Sequence, residues 1–286
     1  MTGPNMRLSL VVMAYRQEAT IADTITAAFA QDYNDLEIVL TDDASPDGTF
    51  DVMEKMAAAY RGPHRVVLNR NPQNLGLIGH VNHLFNLVTA DWLIYNAGDD
   101  MSEPHRARAI AEVIARDNPR YIHSDVTDLH ADGQAFGRQR DRKRHEELEA
   151  MSLPQLARAM SHGIGATAVW HRDLFRTFGP ISETGLYEDR VLLFRARLIG
   201  TVGYSNDRLV RYRRGMGLSS RKDMDPARLL QVDLATLRQR RADVLKVAPD
   251  RRDILKALDK KQARRERELA EVPTGGTPTS DVSDDD

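Results

Sequence analysis

Apolar positions in the first hundred residues follow two alternating spacings. Leu8-Ser9-Leu10-Val11-Val12-Met13-Ala14 is a short, almost continuous apolar run, as expected of a strand covered on both faces. Between Glu18 and Gln31, Ile21, Thr24, Ile25, Ala28 and Phe29 recur at helical spacing, and Leu36-Glu37-Ile38-Val39-Leu40 returns to a strand. Ala44-Ser45-Pro46-Asp47-Gly48-Thr49 breaks the pattern and offers capping residues for a helix reaching about Tyr60. Arg65-Val66-Val67-Leu68 predicts a third strand. Leu77, Val81, Leu84 and Val88 mark a further helix, which hands over to a fourth strand at Trp92-Leu93-Ile94-Tyr95. This alternation is the signature of an α/β fold, a mostly parallel, doubly wound sheet with helices on both faces.

After Asp100 the alternation weakens. Glu103 to Asp117 reads as a helix with Ile110, Val113 and Ile114 on one face, and Tyr121-Ile122-His123 as a strand. Gly137 to His145 carries Arg138, Arg140, Arg142, Lys143 and Arg144 with almost nothing apolar, which predicts a mobile loop. From Pro226, Leu230, Leu234 and Leu237 give a helical stripe that fits either a dimer contact or packing back on the domain. Pro273 to Asp286 is a Gly/Pro/Ser/Asp tail expected to be disordered.

Composition narrows the classes. The 286 residues are 41% hydrophobic, enough for a substantial core. A formal net charge of −2 does not point to nucleic acid as a partner. The absence of cysteine excludes disulfides, a thiolate nucleophile and Cys-ligated zinc, and fits a cytoplasmic protein. The start lacks an apolar run with a cleavage site, and Leu8 to Ala14 is too short to span a bilayer. Membrane contact would therefore be peripheral, with the basic run near Arg138 to His145 as its candidate. A solvated loop is the favoured reading there, because no apolar face accompanies the charge.

In an open parallel sheet, ligands bind beyond the carboxyl ends of the strands. Asp42-Asp43 closes the second strand and Asp99-Asp100 follows the fourth, after the turn-forming Asn96-Ala97-Gly98. Either pair alone fits a cap or a turn. Two pairs at matching positions fit a phosphate-bearing substrate whose charge needs a cation, because Mg²⁺ and Mn²⁺ take one or two carboxylates with phosphate oxygens completing the shell. Asp100 is the first candidate metal ligand, with Asp99 turned toward a ribose. A third pair, Glu188-Asp189, opens a predicted helix before Val191-Leu192-Leu193-Phe194; it suits the helix dipole, yet a transfer to a hydroxyl also needs one general base, and Asp189 is the candidate. No Walker-type loop is present, and Asn74-Leu75-Gly76-Leu77-Ile78-Gly79 is too degenerate for a dinucleotide fingerprint.

These motifs, in this order from Leu8 to Ser219, resemble the family 2 glycosyltransferases, inverting enzymes with a GT-A (Rossmann-like) fold. Val11 to Glu18 resembles the strand and loop that pack against the nucleotide base, with Ala14 at the usual proline and Arg16 at the usual asparagine. The resemblance implies nucleotide contacts at Ala14, Tyr15 and Glu18, with Tyr15 stacking on the base. Thr41-Asp42-Asp43-Ala44-Ser45-Pro46-Asp47-Gly48-Thr49 is similar to the family's acidic turn and implies that Asp43 bonds the base. Asn74-x-Gly76 with Asn82 resembles its helix entry, with His80 at the usual Ala or Arg position and Gly76 near the nucleotide. Ala97-Gly98-Asp99-Asp100 resembles the Asp-x-Asp metal motif, and Tyr187-Glu188-Asp189 the Glu-Asp motif bearing the base. Gly163-Ile164-Gly165-Ala166-Thr167 would line the acceptor side. Arg211 to Ser219 resembles an Arg-rich segment over the diphosphate, which places Glu188, Arg213 and Ser219 on the acceptor or diphosphate side; the family's histidine is absent.

The resemblance implies an inverting, metal-dependent transferase. It would move a sugar from a nucleotide-sugar donor, a UDP-sugar first, to a hydroxyl of a saccharide, cell-surface glycan or lipid-linked acceptor, with Mn²⁺ or Mg²⁺ as cofactor. The expected organisation is a GT-A domain over residues 1–220, with the nucleotide-binding half at about 1–100 and the acceptor half at about 101–220. A helical extension over 221–272 and the tail 273–286 follow, with self-association left open. A silent homologue retaining the fold is the alternative. A sugar nucleotidyltransferase is a weaker one, because Tyr15-Arg16-Gln17-Glu18 lacks the glycines of a triphosphate loop.

Overall fold

A computed structural model describes residues 6–139, 142–160, 165–215 and 225–272. The first half runs β1 (Leu8–Ala14), α1 (Ile21–Phe29), β2 (Leu36–Asp42), α2 (Thr49–Ala59), β3 (Arg65–Arg70), α3 (Gly76–Leu87), β4 (Trp92–Ala97), β5 (Met101–Ser102) and α4 (Arg106–Asp117). The second half runs β6 (Tyr121–Leu129), β7 (Ala135–Gln139), α5 (Arg142–Ala150), α6 (Leu153–Arg158), β8 (Val169–His171), α7 (Asp173–Arg176), α8 (Glu188–Ile199), β9 (Val202–Arg213), α9 (Pro226–Val247) and α10 (Arg252–Ala270).

Every residue of β1 is buried because alternate side chains enter two different cores. Leu8, Leu10, Val12 and Ala14 pack with Ile21 and Ile25 of α1, Met53 of α2 and Ile110 of α4. Val11 and Met13 face the other way, toward Val81 and Leu84 of α3 and Leu192 of α8. The continuous apolar run is thus the sequence of a strand sandwiched between helical layers.

The sheet order is β3-β2-β1-β4-β8-β6-β9-β5, with β7 on β6. Parallel pairing holds β3, β2, β1 and β4 together and recurs between β6 and β9, while β8 joins the two parts in antiparallel fashion. The registers Ala14↔Asp42 and Met13↔Ala97 align the carboxyl ends of β1, β2 and β4, so the loops that leave them meet at one edge. This is the expected α/β fold.

The reading of Gly137 to His145 as a mobile loop is corrected: Gly137 lies in β7, and α5 begins at Arg142. Two cations of α5 are spent locally. Arg142 meets Glu146 at 3.3 Å and Lys143 meets Glu147 at 3.9 Å, one helical turn on, and Leu148 anchors the helix in the core. Residues 140 and 141 lie outside the described residues, as do the junction at 220 and 221 and the tail over 273–286. The apolar stripe of α9 packs back on the domain: Leu234 and Leu237 are buried, and Leu237 shares the core with Ile254 and Leu258 of α10 and with Leu192 of α8. Among the described residues, no helix is long and apolar enough to cross a membrane.

Candidate functional site

The loops after β1 and β2 build the first part of the site. The Asp43 amide donates to the Ala14 carbonyl at 3.0 Å, extending the parallel pairing one residue past the strand ends. The Asp43 carboxylate is buried and held by two donors on one oxygen, Asn71 Nδ2 at 2.8 Å and the Leu75 amide at 2.9 Å. Tyr15 and Leu75, both more than a third exposed, stand at the ends of segments tied to Asp43. Gly76 has φ +69°, a conformation that favours glycine, and opens α3 just after them. Glu18 lies on the far side of this loop, where its carboxylate accepts from the Gly48 amide at 2.9 Å and shapes the turn between β2 and α2. His80 sits beneath, its Nε2 2.8 Å from Thr41 Oγ1; burial lowers its pKa to about 4, so it is neutral near pH 7.

The second part is the acid pair after β4. Gly98 admits no side chain without a shift, because a Cβ would fall 2.3 Å from Gln17 Oε1 and 3.1 Å from the Ala14 Cβ. That close approach brings Asp99 and Asp100 against the end of β1. Both are buried, and burial raises both pKa values; for Asp100 the neighbouring Asp99 charge pushes the same way. One Asp100 oxygen accepts from the Arg213 amide at 2.9 Å, and the Arg213 guanidinium also meets Asp23 at 3.3 Å. Arg106, fully buried in the first turn of α4, donates to Asn96, Ser102 and the Tyr95 carbonyl at 2.9–3.0 Å and lends its charge to Asp100. Burial lowers even this guanidinium to about 9.

The third part is the start of α8. Gly165 faces it, since a Cβ there would lie 3.3 Å from Glu188 Oε1 and 3.7 Å from the Asp189 Cβ. Burial first, and the Asp189 charge second, raise Glu188 to about 8, so Glu188 holds its proton at pH 7. The two acid pairs converge on Tyr95 of β4: after burial, the charges of Glu188, Asp99, Asp100 and Asp189 all raise its pKa.

The structure therefore places Ala14, Tyr15, Asp43 and Gly76 around one loop cluster, and Asp99, Asp100, Glu188, Asp189 and Arg213 around the adjoining one. Ser219, Gly163 and Ile164 lie outside the described residues. Asn82 belongs elsewhere, clamping the backbone of Ile181 through bonds of 2.8 and 2.9 Å. Arg211 and Arg214 are committed to Glu103 and Asp128, at 2.9 and 2.7 Å.

Arg106 and Leu75 escaped the sequence reading. Arg106 carried a usable signal, since it falls four and seven residues before Ile110 and Val113 on the apolar stripe of α4. An arginine on such a stripe requires buried acceptors.

Carboxylate oxygens suit Mg²⁺ or Mn²⁺, and two like charges held in a buried turn leave cation-binding capacity beside Asp99 and Asp100. Among the described residues, no group of three or more side chains could hold the ion by itself. Substrate oxygens would have to complete its shell. On those terms the residues fit.

Comparison with known proteins places this site in context. The model of glycosyl transferase family 2 matches residues 9–179. EpsE, a candidate glycosyltransferase of Bacillus subtilis, is 35% identical over 105 residues, which cover 37% of this chain and 36% of EpsE. The matched stretch thus spans about a third of that relative. The structure of S. aureus TarS 1-349 in complex with UDP-GlcNAc superposes with a TM-score of 0.63 at 17% identity, covering 93% of this chain and 71% of that one. The mannosyltransferase PcManGT from Pyrobaculum calidifontis, in complex with GDP-Man and Mn²⁺, superposes with a TM-score of 0.61 at 17% identity, covering 96% and 77%. At these identities the structural likeness is one of fold.

Proposed function

Because the chain belongs to glycosyl transferase family 2, we propose that it is an inverting glycosyltransferase that moves a sugar from a nucleotide-sugar donor to a hydroxyl acceptor. The observation that carries this reading is the alignment of the β1, β2 and β4 carboxyl ends, which sets the buried Asp43 carboxylate and the acid pair Asp99-Asp100 at one edge of the sheet, with Glu188 and Asp189 of α8 close enough to act with that pair on Tyr95.

In this reading the nucleobase lies between Tyr15 and Leu75 with Asp43 as its hydrogen-bonding partner, and Ala14, Glu18 and Gly76 shape the walls. Asp99 faces the ribose. Asp100 would hold the divalent cation, Mn²⁺ or Mg²⁺, whose chemistry is to offset the charge that grows on the leaving diphosphate. Arg213 lies toward the diphosphate. Glu188, protonated at neutral pH, donates rather than accepts on the acceptor side.

That leaves Asp189 as the base. The acceptor oxygen attacks the anomeric carbon, the bond from that carbon to the diphosphate oxygen breaks with its electrons going to the diphosphate, and Asp189 takes the hydroxyl proton. Inversion follows from a single in-line displacement.

A UDP-sugar is the proposed donor, a choice supported by the UDP-GlcNAc complex among proteins of this fold. The acceptor is a saccharide hydroxyl, on a cell-surface glycan or a lipid-linked intermediate at the inner face of the membrane, reached from the cytoplasm by peripheral contact. A nucleotide panel tests the donor assignment. With Mn²⁺ present, UDP should raise the melting temperature more than GDP, ADP or CDP, because binding to the native state alone raises apparent stability. Equal shifts for all four would refute it.

A further inference from the structure

The helical extension after residue 225 reaches into the site from behind. Arg240 of α9 is 2% exposed, and all of its hydrogen bonds go to backbone carbonyls. Its Nη1 takes the Leu156, Ala157 and Ala159 carbonyls at 3.1, 3.0 and 2.6 Å, capping the end of α6, where the last carbonyls run out of helical donors and Leu156 is also reached by the Ala159 amide. Its Nε and Nη2 both grip the carbonyl of Arg190, at 3.2 and 2.7 Å. Arg190 immediately follows Asp189. A second tie holds the same turn, because the Arg190 guanidinium pairs with Asp233 of α9 at 2.9 Å and lies over the Tyr187 ring at 5.3 Å. Asp233 is itself held by Arg265 of α10 at 2.8 Å.

A buried guanidinium is costly unless its donors are satisfied, and burial lowers Arg240 to about 9 even with Asp189, Asp233 and Asp243 supporting its charge. Capping α6 accounts for one of its nitrogens. The other two are spent on the carbonyl of the residue that follows the base.

We propose that Arg240 is a positioning residue for Asp189, making α9 and α10 a working part of the active site rather than an appended support. The proposal rests on the reading of Asp189 as the base. By fixing the Arg190 carbonyl, Arg240 sets the direction in which the first turn of α8 presents the Asp189 side chain. The titratable and charged groups around Asp189 are the protonated Glu188 and Arg190 on its own helix and Arg240 on α9, with Asp233 and Asp243 behind Arg240 and the acid pair Asp99 and Asp100 beyond Tyr95. Among these, Arg240 both holds the backbone and brings a positive charge to the carboxylate.

The test compares Arg240→Lys with Arg195→Lys in the full chain. Arg195 is an equally buried tie between α8 and α9, bonded to Asp243 at 2.9 Å, but it lies six residues past Asp189. It controls for destabilisation. Hydrogen–deuterium exchange should accelerate at least tenfold in peptide 186–192 for Arg240→Lys and not for Arg195→Lys, with peptide 95–101 unchanged in both. Nucleotide-sugar turnover of Arg240→Lys should fall at least tenfold at unchanged nucleoside-diphosphate affinity, and the acidic limb of its pH–rate profile should move upward. Equal exchange or equal turnover in the two variants would overturn the proposal, as would loss of donor affinity in step with turnover. Asp189→Asn separates the premise: if it retains turnover, the base assignment fails while the exchange result still reports whether Arg240 fixes the turn.

Discussion

Replacing Glu188 with glutamine removes a titration and leaves a shape. Glu188 is buried at the start of α8, and burial together with Asp189 raises its pKa from 4.5 to about 8. In the unfolded chain the carboxyl ionises near its ordinary value. Below about pH 4.5 both states carry the proton and the residue adds no pH dependence. Between 4.5 and about 8 the unfolded chain releases a proton that the folded chain keeps, so native stability falls as pH rises; above about 8 that loss is complete. At about 1.4 kcal/mol per pH unit, the interval amounts to roughly 5 kcal/mol as an upper bound. Urea unfolding at pH 5.0, 6.5 and 8.0 gives the comparison directly. Glu188→Gln should lose less stability than wild type across that range, and the difference between them should change by roughly 3–4 kcal/mol in favour of the variant. Turnover at pH 7 should stay within a few-fold of wild type, because the amide replaces an acid that is already protonated. Parallel pH dependence in the two proteins would refute the reasoning, and with it the ground for choosing Asp189 over Glu188 as proton acceptor.

Three further outcomes are expected. Asp43→Ala removes the acceptor beside Tyr15 and Leu75 and should weaken nucleoside-diphosphate binding by roughly 1.5–3 kcal/mol in calorimetry, with equal affinities counting against a base site there. Asp100→Ala should abolish turnover and the gain in nucleoside-diphosphate affinity that Mn²⁺ confers, while wild type should lose turnover in chelator and regain it with added Mn²⁺; metal-independent turnover would remove the cation from the account. Arg106→Met strands acceptors on Asn96, Ser102 and Tyr95 and should cost roughly 3–5 kcal/mol of unfolding free energy, so a variant as stable as wild type would contradict the buried network.

The parallel core was legible because β1, β2 and β4 are buried on both faces and the helices between them show a single apolar stripe. The acid pairs were legible for a related reason, since a strand end followed by Asp-Asp is visible wherever the strand is. β8 and β9 were not, because Val169–His171 is only three residues long and β9 interleaves Asn206, Asp207, Arg208 and Arg211 with its apolar positions. α5 was hidden by its charge, which the fold neutralises between residues one turn apart and which composition alone cannot resolve. Arg240 was beyond reach for another reason. Its partners are backbone carbonyls some 50 and 80 residues away, and carbonyls leave no mark on a sequence.

In the proposed reaction Asp189 accepts the acceptor's proton across the sugar from a donor site it does not build. Asp189→Asn keeps the side chain's shape and removes the charge that takes the proton. Release of nucleoside diphosphate from the nucleotide-sugar donor should fall 10²–10⁴-fold, about 3–5 kcal/mol of barrier, while calorimetric affinity for the nucleoside diphosphate with Mn²⁺ stays within about twofold of wild type. Near-normal turnover in that variant would contradict the account, and turnover lost together with affinity would recast Asp189 as part of the scaffold.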